Sequence, residues 1–204
     1  MLQSMSSLFG SAILAMDGEI GHVRDVFFHD RSWLVRYLVV ESGSWLFVRR
    51  VLLSPIVAHP PDLEGKTVRV ALTKEQVQNS PSIDTDLPVS RQQETAMSLH
   101  YGWPAYWTAE AAVAVSPADA PVSDGDPNLR SATEIMKYVV KTTDGELGNV
   151  ADLVMEDANW FIRFLVLSTG GWFGGQKLMV STRWVGSISW ENQEVHLPHS
   201  RDEL

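Results

Sequence analysis

The stretch "DGEIGHVRDVFFHDRSWLVRYLVVESGSW", residues 17–45, returns as "DGELGNVADLVMEDANWFIRFLVLSTGGW", residues 144–172. Adding 127 to every position from Asp17 to Val70 aligns the two halves without a gap, and 16 of those 54 pairs are identical. Duplication accounts for agreement of this extent, so one fold is expected twice. Each copy opens on Asp-Gly with a second glycine three residues on (Gly18 and Gly21, Gly145 and Gly148), the pattern of a tight turn followed by a bulge. The strand "EIGHVRDVFF" then runs to the turn "HDRS" and returns as "WLVRYLVVE"; later strands at "WLFVRRVLLS" and "KTVRVAL" have counterparts at "QKLMVS" and "QEVHL". This spacing predicts an all-β chain of two tandem, small, partly open β-barrels built as meanders. Closure is favoured because an open sheet exposes its edges to other chains.

Outside the repeat the chain changes character. The stretch "LFGSAILAM" at 8–16 reads as a strand, too short to span a bilayer. A single short helix is predicted at 73–80, where Thr73 caps and Gln76 follows as in a capping box, and Pro81 ends it; the second copy is cut short at this place, in "PHSRDEL". The resulting units are a first barrel at 1–81, a long linker at 82–130 and a second barrel at 131–204. Within the linker, 108–128 is rich in Ala, Pro, Ser and Asp, whereas 99–107, "LHYGWPAYW", holds four aromatics that are expected to dock on a barrel or a partner. A unit of about 75 residues buries little surface alone, so the barrels are expected to pack together.

Composition excludes several functions. A net charge of -9, with 16 basic residues scattered among 25 acids, argues against nucleic-acid binding. The absence of cysteine removes disulfides, thiolate ligands and a Cys nucleophile, and suits a cytoplasmic protein. No integral membrane segment and no entry signal are read, so the terminal "RDEL" is taken as a coincidental match to a retrieval tag.

The motifs "DGEIGHVRD", "WLVRYLVVESG", "VLLSP" and "TVRVALTKEQV", repeated as "DGELGNVAD", "WFIRFLVLSTG", "LMVST" and "QEVHL", resemble the PRC-barrel domain family. That family includes the cytoplasmic part of the photosynthetic reaction centre H subunit and a domain of the ribosome maturation factor. The resemblance covers about 17–80 and 133–197, and it implies a barrel used for protein contacts. The chain lacks the H subunit's membrane anchor and the maturation factor's companion barrel, and so looks like the bacterial two-barrel members whose role is undefined.

No catalytic set stands out. "GGWFGGQK" at 170–177 approaches a phosphate loop but lies between strands and ends in Gln-Lys. His196 and His199 are three apart without further ligands held nearby, so no metal or cofactor is expected. Asp17 and Glu19, with Asp144 and Glu146, could act as acid and base, yet their turn positions read as solvated. With the turn centred between Asp30 and Arg31, Asp25 faces Arg36 and Asp152 faces Arg163, and these cross-strand pairs are expected to set register. Trp33 and Trp160 are expected in the core. Trp45, Trp172 and Phe173 at hairpin tips, with Trp103, Tyr106 and Trp107 in the linker, are the candidate partner-binding residues.

The expected function is a non-enzymatic protein-interaction or assembly module, with loops 42–48 and 169–177 and the aromatic linker as contact surfaces. Exposed edges and aromatic patches favour a homodimer. Two alternatives predict other geometry: a small-ligand or sensory protein needs an apolar pocket between the barrels, and an enzyme needs the paired acids to line one.

Overall fold

The computed structural model describes residues 1–44, 47–83, 91–104, 126, 128–170 and 175–204. The first half comprises β1 (Leu2–Ser4), α1 (Met5–Leu8), β2 (Ala12–Ala15), β3 (Gly18–His29), β4 (Leu34–Ser44), β5 (Phe47–Leu53), β6 (Thr67–Arg69) and α2 (Lys74–Gln78). Helix α3 (Arg91–Tyr101) follows. The second half has β7 (Leu129–Ser131), α4 (Ala132–Ile135), β8 (Val139–Thr142), β9 (Gly145–Glu156), β10 (Phe161–Thr169), β11 (Gln176–Ser181), β12 (Ser187–Ser189) and β13 (Glu194–His196). The expected all-β architecture is present, with the first half ordered β5-β4-β3-β2-β6 and the second β11-β10-β9-β8-β13-β12. Each half closes on a parallel pair, β2 with β6 and β8 with β13.

The duplication extends to the irregularities. Bulges leave Ile20, Arg24 and Arg36 unmatched in the first half, and Leu147, Ala151 and Arg163 in the second, each pair 127 apart. Gly21 and Gly148 sit beside the first of these bulges because nothing larger fits: a Cβ would lie 2.1 Å from the Glu41 carbonyl oxygen and 2.0 Å from that of Ser168. The Arg36 and Arg163 bulges correct the predicted register. The ladder sets Asp25 opposite Val39 and Asp152 opposite Val166. The reason lies in the hairpin: its turn occupies 30–33, with Trp33 held at φ 57, and the bulge takes up a further residue. Arg163 instead meets Glu156 at 2.5 Å, and in the ladder Asp25 does not stand opposite Arg36, nor Asp152 opposite Arg163.

The boundaries expected at 1–81 and 131–204 cut across the fold, because the two leading segments are exchanged. β2 and β8 take only the first stretch of the long strands; further along, β7 pairs with β3 at 27–29, and β1 pairs with β9 at 154–156. Sequence positions 2–8 and 129–135 are thus equivalent, and each lies on the opposite repeat. Met5, Leu8 and Ile135, all fully buried, anchor the exchange. Burying three such side chains contributes roughly 1.5–3 kcal/mol each, a sizeable share of what a small barrel lacks alone. At the junction, β4 meets β10 through Leu34 and Phe161, and reciprocal bonds run from Val35 N–H to the Trp160 carbonyl (2.9 Å) and from Ile162 N–H to that of Trp33 (2.8 Å). Trp33 and Trp160 are buried as expected, both with φ near 56°, a left-handed backbone that bulky residues avoid unless the surroundings impose it. One core draws on both halves.

The linker region also departs from expectation. Besides α2, whose Thr73–Gln76 capping box is present, α3 forms inside 82–130 and covers the outer face of the first sheet. Met97 packs there with Phe27, Tyr37, Val39 and Leu52. The second copy does begin the α2 turn: Ser200 and Glu203 form the same capping box, 127 positions after Thr73 and Gln76. The stretch 8–16 is a strand only from Ala12, since Met5–Leu8 is helical. Among the described residues no helix is long and apolar enough to cross a membrane.

Candidate functional site

The paired aspartates of the repeat carry the exchange. The carboxylate of Asp25 accepts from the Ser131 hydroxyl (2.5 Å), the Thr133 N–H (3.1 Å) and the Thr133 hydroxyl (2.9 Å), at the start of α4. Asp152 accepts from Ser4 Oγ (2.5 Å), Ser6 N–H (3.1 Å) and Ser6 Oγ (2.8 Å), at the start of α1. Each carboxylate thus satisfies a helix-start N–H that has no partner within its own helix, and does so in the opposite repeat. The turn acids behave likewise: Asp17 accepts from Lys74 N–H at 2.8 Å and Asp144 from Arg201 N–H at 3.1 Å. Asp144 is fully exposed, and hydrogen bonds from the Thr142 hydroxyl and then the Arg201 amide hold it below the ordinary carboxylate range. None of Asp17, Glu19, Asp144 or Glu146 lines either of the two clefts described next.

Two clefts flank the junction, and they are repeat equivalents. One, of about 590 Å³, lies among Leu34, Arg36, Tyr37, Pro55, Ile56 and Trp160. Its counterpart, about 850 Å³, lies among Trp33, Phe161, Arg163, Phe164, Thr182 and Arg183. The copies have diverged in opposite directions. Trp103 and Pro104, following α3, reach into the smaller cleft, where Arg36 is the one charged residue among the described lining residues. The larger has no such cover among the described residues and carries Arg31, Arg130, Arg163 and Arg183 against the single acid Asp30. Arg31 stands where the other copy has Ala158, and Arg183 where it has Ile56. The ligand-binding alternative requires an apolar pocket between the barrels; two clefts lie there, and the larger is basic rather than apolar.

Two of these arginines are engaged. Arg130 Nε lies 2.9 Å from Asp30, whose pKa is raised by burial against the pull of that guanidinium. Arg163 pairs with Glu156 and stacks over the Phe161 ring at 4.3 Å, and its hydrogen bond, followed by that of Asn159, lowers the Glu156 pKa. Arg31 and Arg183 are exposed and make no ion pair with a described residue.

Of the predicted partner-binding residues, Trp103 is half-buried and stacks on Tyr101 at 4.1 Å, against the chain's own core. Trp45, Trp172, Phe173, Tyr106 and Trp107 lie outside the described residues, as do residues 171–174 of the phosphate-loop-like segment, whose flanks join β10 to β11. His199 stacks on Trp184 at 4.9 Å, while His196 sits 3.1 Å from Glu194; among the described residues no group of three or more His, Asp or Glu converges on a metal position. Arg31, Arg130, Arg183 and Met179 escaped sequence reasoning. For Arg31 and Arg183 the signal was available in the alignment of the copies, where they face the apolar Ala158 and Ile56.

The PRC-barrel domain family model matches residues 4–77. A comparison with curated proteins returned no match. PRC-barrel domains generally serve as protein-interaction and assembly modules and are typically non-catalytic. The matched segment contains α1 and β2 through α2, the strands whose order, bulges and glycines recur 127 residues on. Residues 4–77 thus match the PRC-barrel domain family, and the second half is an interlocked structural repeat of that segment.

Proposed function

We propose that this chain is a non-catalytic assembly module of two interlocked PRC-type halves that presents the outer sheet face of the second half to partner proteins in the cytoplasm. The observation that carries this reading is α3: a helix from outside both barrels covers the first outer face, with Met97 fully buried against it. The same face in the second half keeps the apolar character, with Val154, Phe164, Val166 and Met179 at the positions of Phe27, Tyr37, Val39 and Leu52, yet Met179 is 57% exposed. The duplicated acids support a structural role because they cap helix starts and turns. Trp45, Trp172 and Phe173, with Tyr106 and Trp107, complete the proposed contact surface, and self-association into a homodimer is its simplest use.

Affinity purification of the tagged chain from its native cell, with mass spectrometry, tests the proposal. A protein recovered in constant ratio by the wild type and lost on Met179→Glu or on joint Trp45→Ala and Trp172→Ala supports it. Recovery of none, together with turnover of a metabolite by the purified chain, overturns it.

A further inference from the structure

Resting on that reading, we infer that the open face of the second half takes an acidic amphipathic helix of a partner protein, seated as α3 is seated on the first half. The repeat supplies its own template for the occupant. On the first half, Glu94, Met97 and Tyr101 of α3 follow the i, i+3, i+7 spacing of one helical face, and Glu94 and Met97 are fully buried. Met97 fills the space above Phe27, Tyr37, Val39 and Leu52, the Tyr37 hydroxyl donates to Glu94 at 3.0 Å, and the chain beyond Tyr101 reaches the smaller cleft.

On the second half the apolar floor is kept and the polar partner is changed. Phe164 replaces Tyr37, so no hydroxyl is left to hold a buried carboxylate; beside it, in the cleft that Phe164 itself lines, stand Arg31, Arg163 and Arg183. In a chain of net charge -9, Arg130 and Arg163 are paired with Asp30 and Glu156, and the two remaining exposed arginines of the cleft, Arg31 and Arg183, form a local positive field that selects negative groups and steers their approach. A carboxylate on the docking face would exchange the Tyr37-type hydrogen bond for guanidinium contacts, the stronger and more directional kind. Open apolar floor and basic rim meet at Phe164, and together they specify a helix that is apolar along one stripe and acidic beside it.

The test uses two fluorescein-labelled 14-residue helical peptides with Leu or Met at the same i, i+3, i+7 positions, one carrying Glu and one Lys at the flanking positions, titrated into the full chain by fluorescence anisotropy. The Glu peptide is expected to bind at least tenfold more tightly than the Lys peptide, with affinity falling as salt rises. Arg31→Ala and Arg183→Ala are each expected to weaken it roughly three- to fivefold, as rim charges do, and Met179→Glu to abolish it; all three positions are exposed, and an unchanged melting curve excludes unfolding. Equal binding of the two peptides, or no effect of the arginine variants, overturns the inference. So does submillimolar binding of inorganic phosphate without peptide binding, or a dimer in analytical ultracentrifugation that Met179→Glu dissolves. Peptide binding seen only after residues 108–124 are replaced by Gly-Ser also overturns it, because the chain's own segment is then the occupant. Failure here is distinct from failure of the wider reading: a native partner still recovered by the Met179→Glu and Arg183→Ala variants keeps the assembly role and rejects this face alone.

Discussion

The Ser131 hydroxyl, at the start of the second repeat, donates to Asp25 of the first across 2.5 Å, and Ser4 does the same for Asp152 in the opposite direction. Two equivalent clasps of this kind tie each repeat to the leading segment of the other. Duplication followed by exchange makes one chain resemble a closed twofold dimer, in which any loss on one side is felt on both.

Removing a clasp strands a helix start. Asp25→Ala and Asp152→Ala each delete four accepted hydrogen bonds, three of them from the opposite repeat, and we expect a loss of about 1–3 kcal/mol from each, comparable with a lost N-cap plus further charge-assisted hydrogen bonds. Chemical denaturation measures it. A double-mutant cycle between Asp25 and Ser131 should show coupling, whereas one between Asp25 and Arg36 should be additive; coupling only in the second would restore the simple hairpin register.

Leu52 and Met179 occupy equivalent positions under opposite conditions, the first fully buried beneath α3 and the second 57% exposed. Leu52→Ala is expected to cost about 2–5 kcal/mol and Met179→Ala less than about 0.5 kcal/mol. Matching losses at both sites would mean that the second face is covered as the first is.

The glycines beside the first bulge are sterically fixed. Gly21→Ala places a methyl 2.1 Å from a backbone oxygen, and Gly148→Ala adds to this a φ of +150°. Both are expected to destabilise by about 1–3 kcal/mol, the range for forced overpacking, as read from shifts in denaturation midpoint.

Glu156 reports the Arg163 contact through its titration. Its folded pKa is depressed, so the stability it confers is fully present above its ordinary value of 4.5 and is lost as pH falls through the lower folded value. Arg163→Gln should return its titration, followed by carboxyl carbon NMR, toward 4.5 and flatten the acid limb of the stability curve.

Much of this was legible in the sequence because turn and core residues dictate it. Gly18, Gly21 and the Asp-Gly turns announced the repeat, Thr73 and Gln76 the capping box, and Trp33 and Trp160 two buried core positions. The clasp was not legible, since Asp25 and Asp152 find their partners 106 and 148 residues away, and a hairpin rule counts only local pairs. The bulges at Arg36 and Arg163 defeated that rule further, because a skipped residue reassigns every later partner. Helix α3 stayed hidden for another reason: its stripe of Glu94, Met97 and Tyr101 is sparse and mostly polar, and its burial depends on a sheet face formed elsewhere in the chain. The basic cleft gathers Arg31, Arg130, Arg163 and Arg183 from four separated segments, so only the contrast of Arg31 and Arg183 with Ala158 and Ile56 in the other copy could have pointed to it.

Native-state hydrogen exchange in the Asp25→Ala variant, read at the Leu38 and Leu165 amides of the two central return strands, tests the interlock most directly. Interlocked repeats lose protection at both amides by the same free energy, although the substituted side chain belongs to the first repeat and Leu165 lies in the barrel of the second. Protection reduced at Leu38 and unchanged at Leu165 would mean two barrels that open independently, and would contradict the exchange.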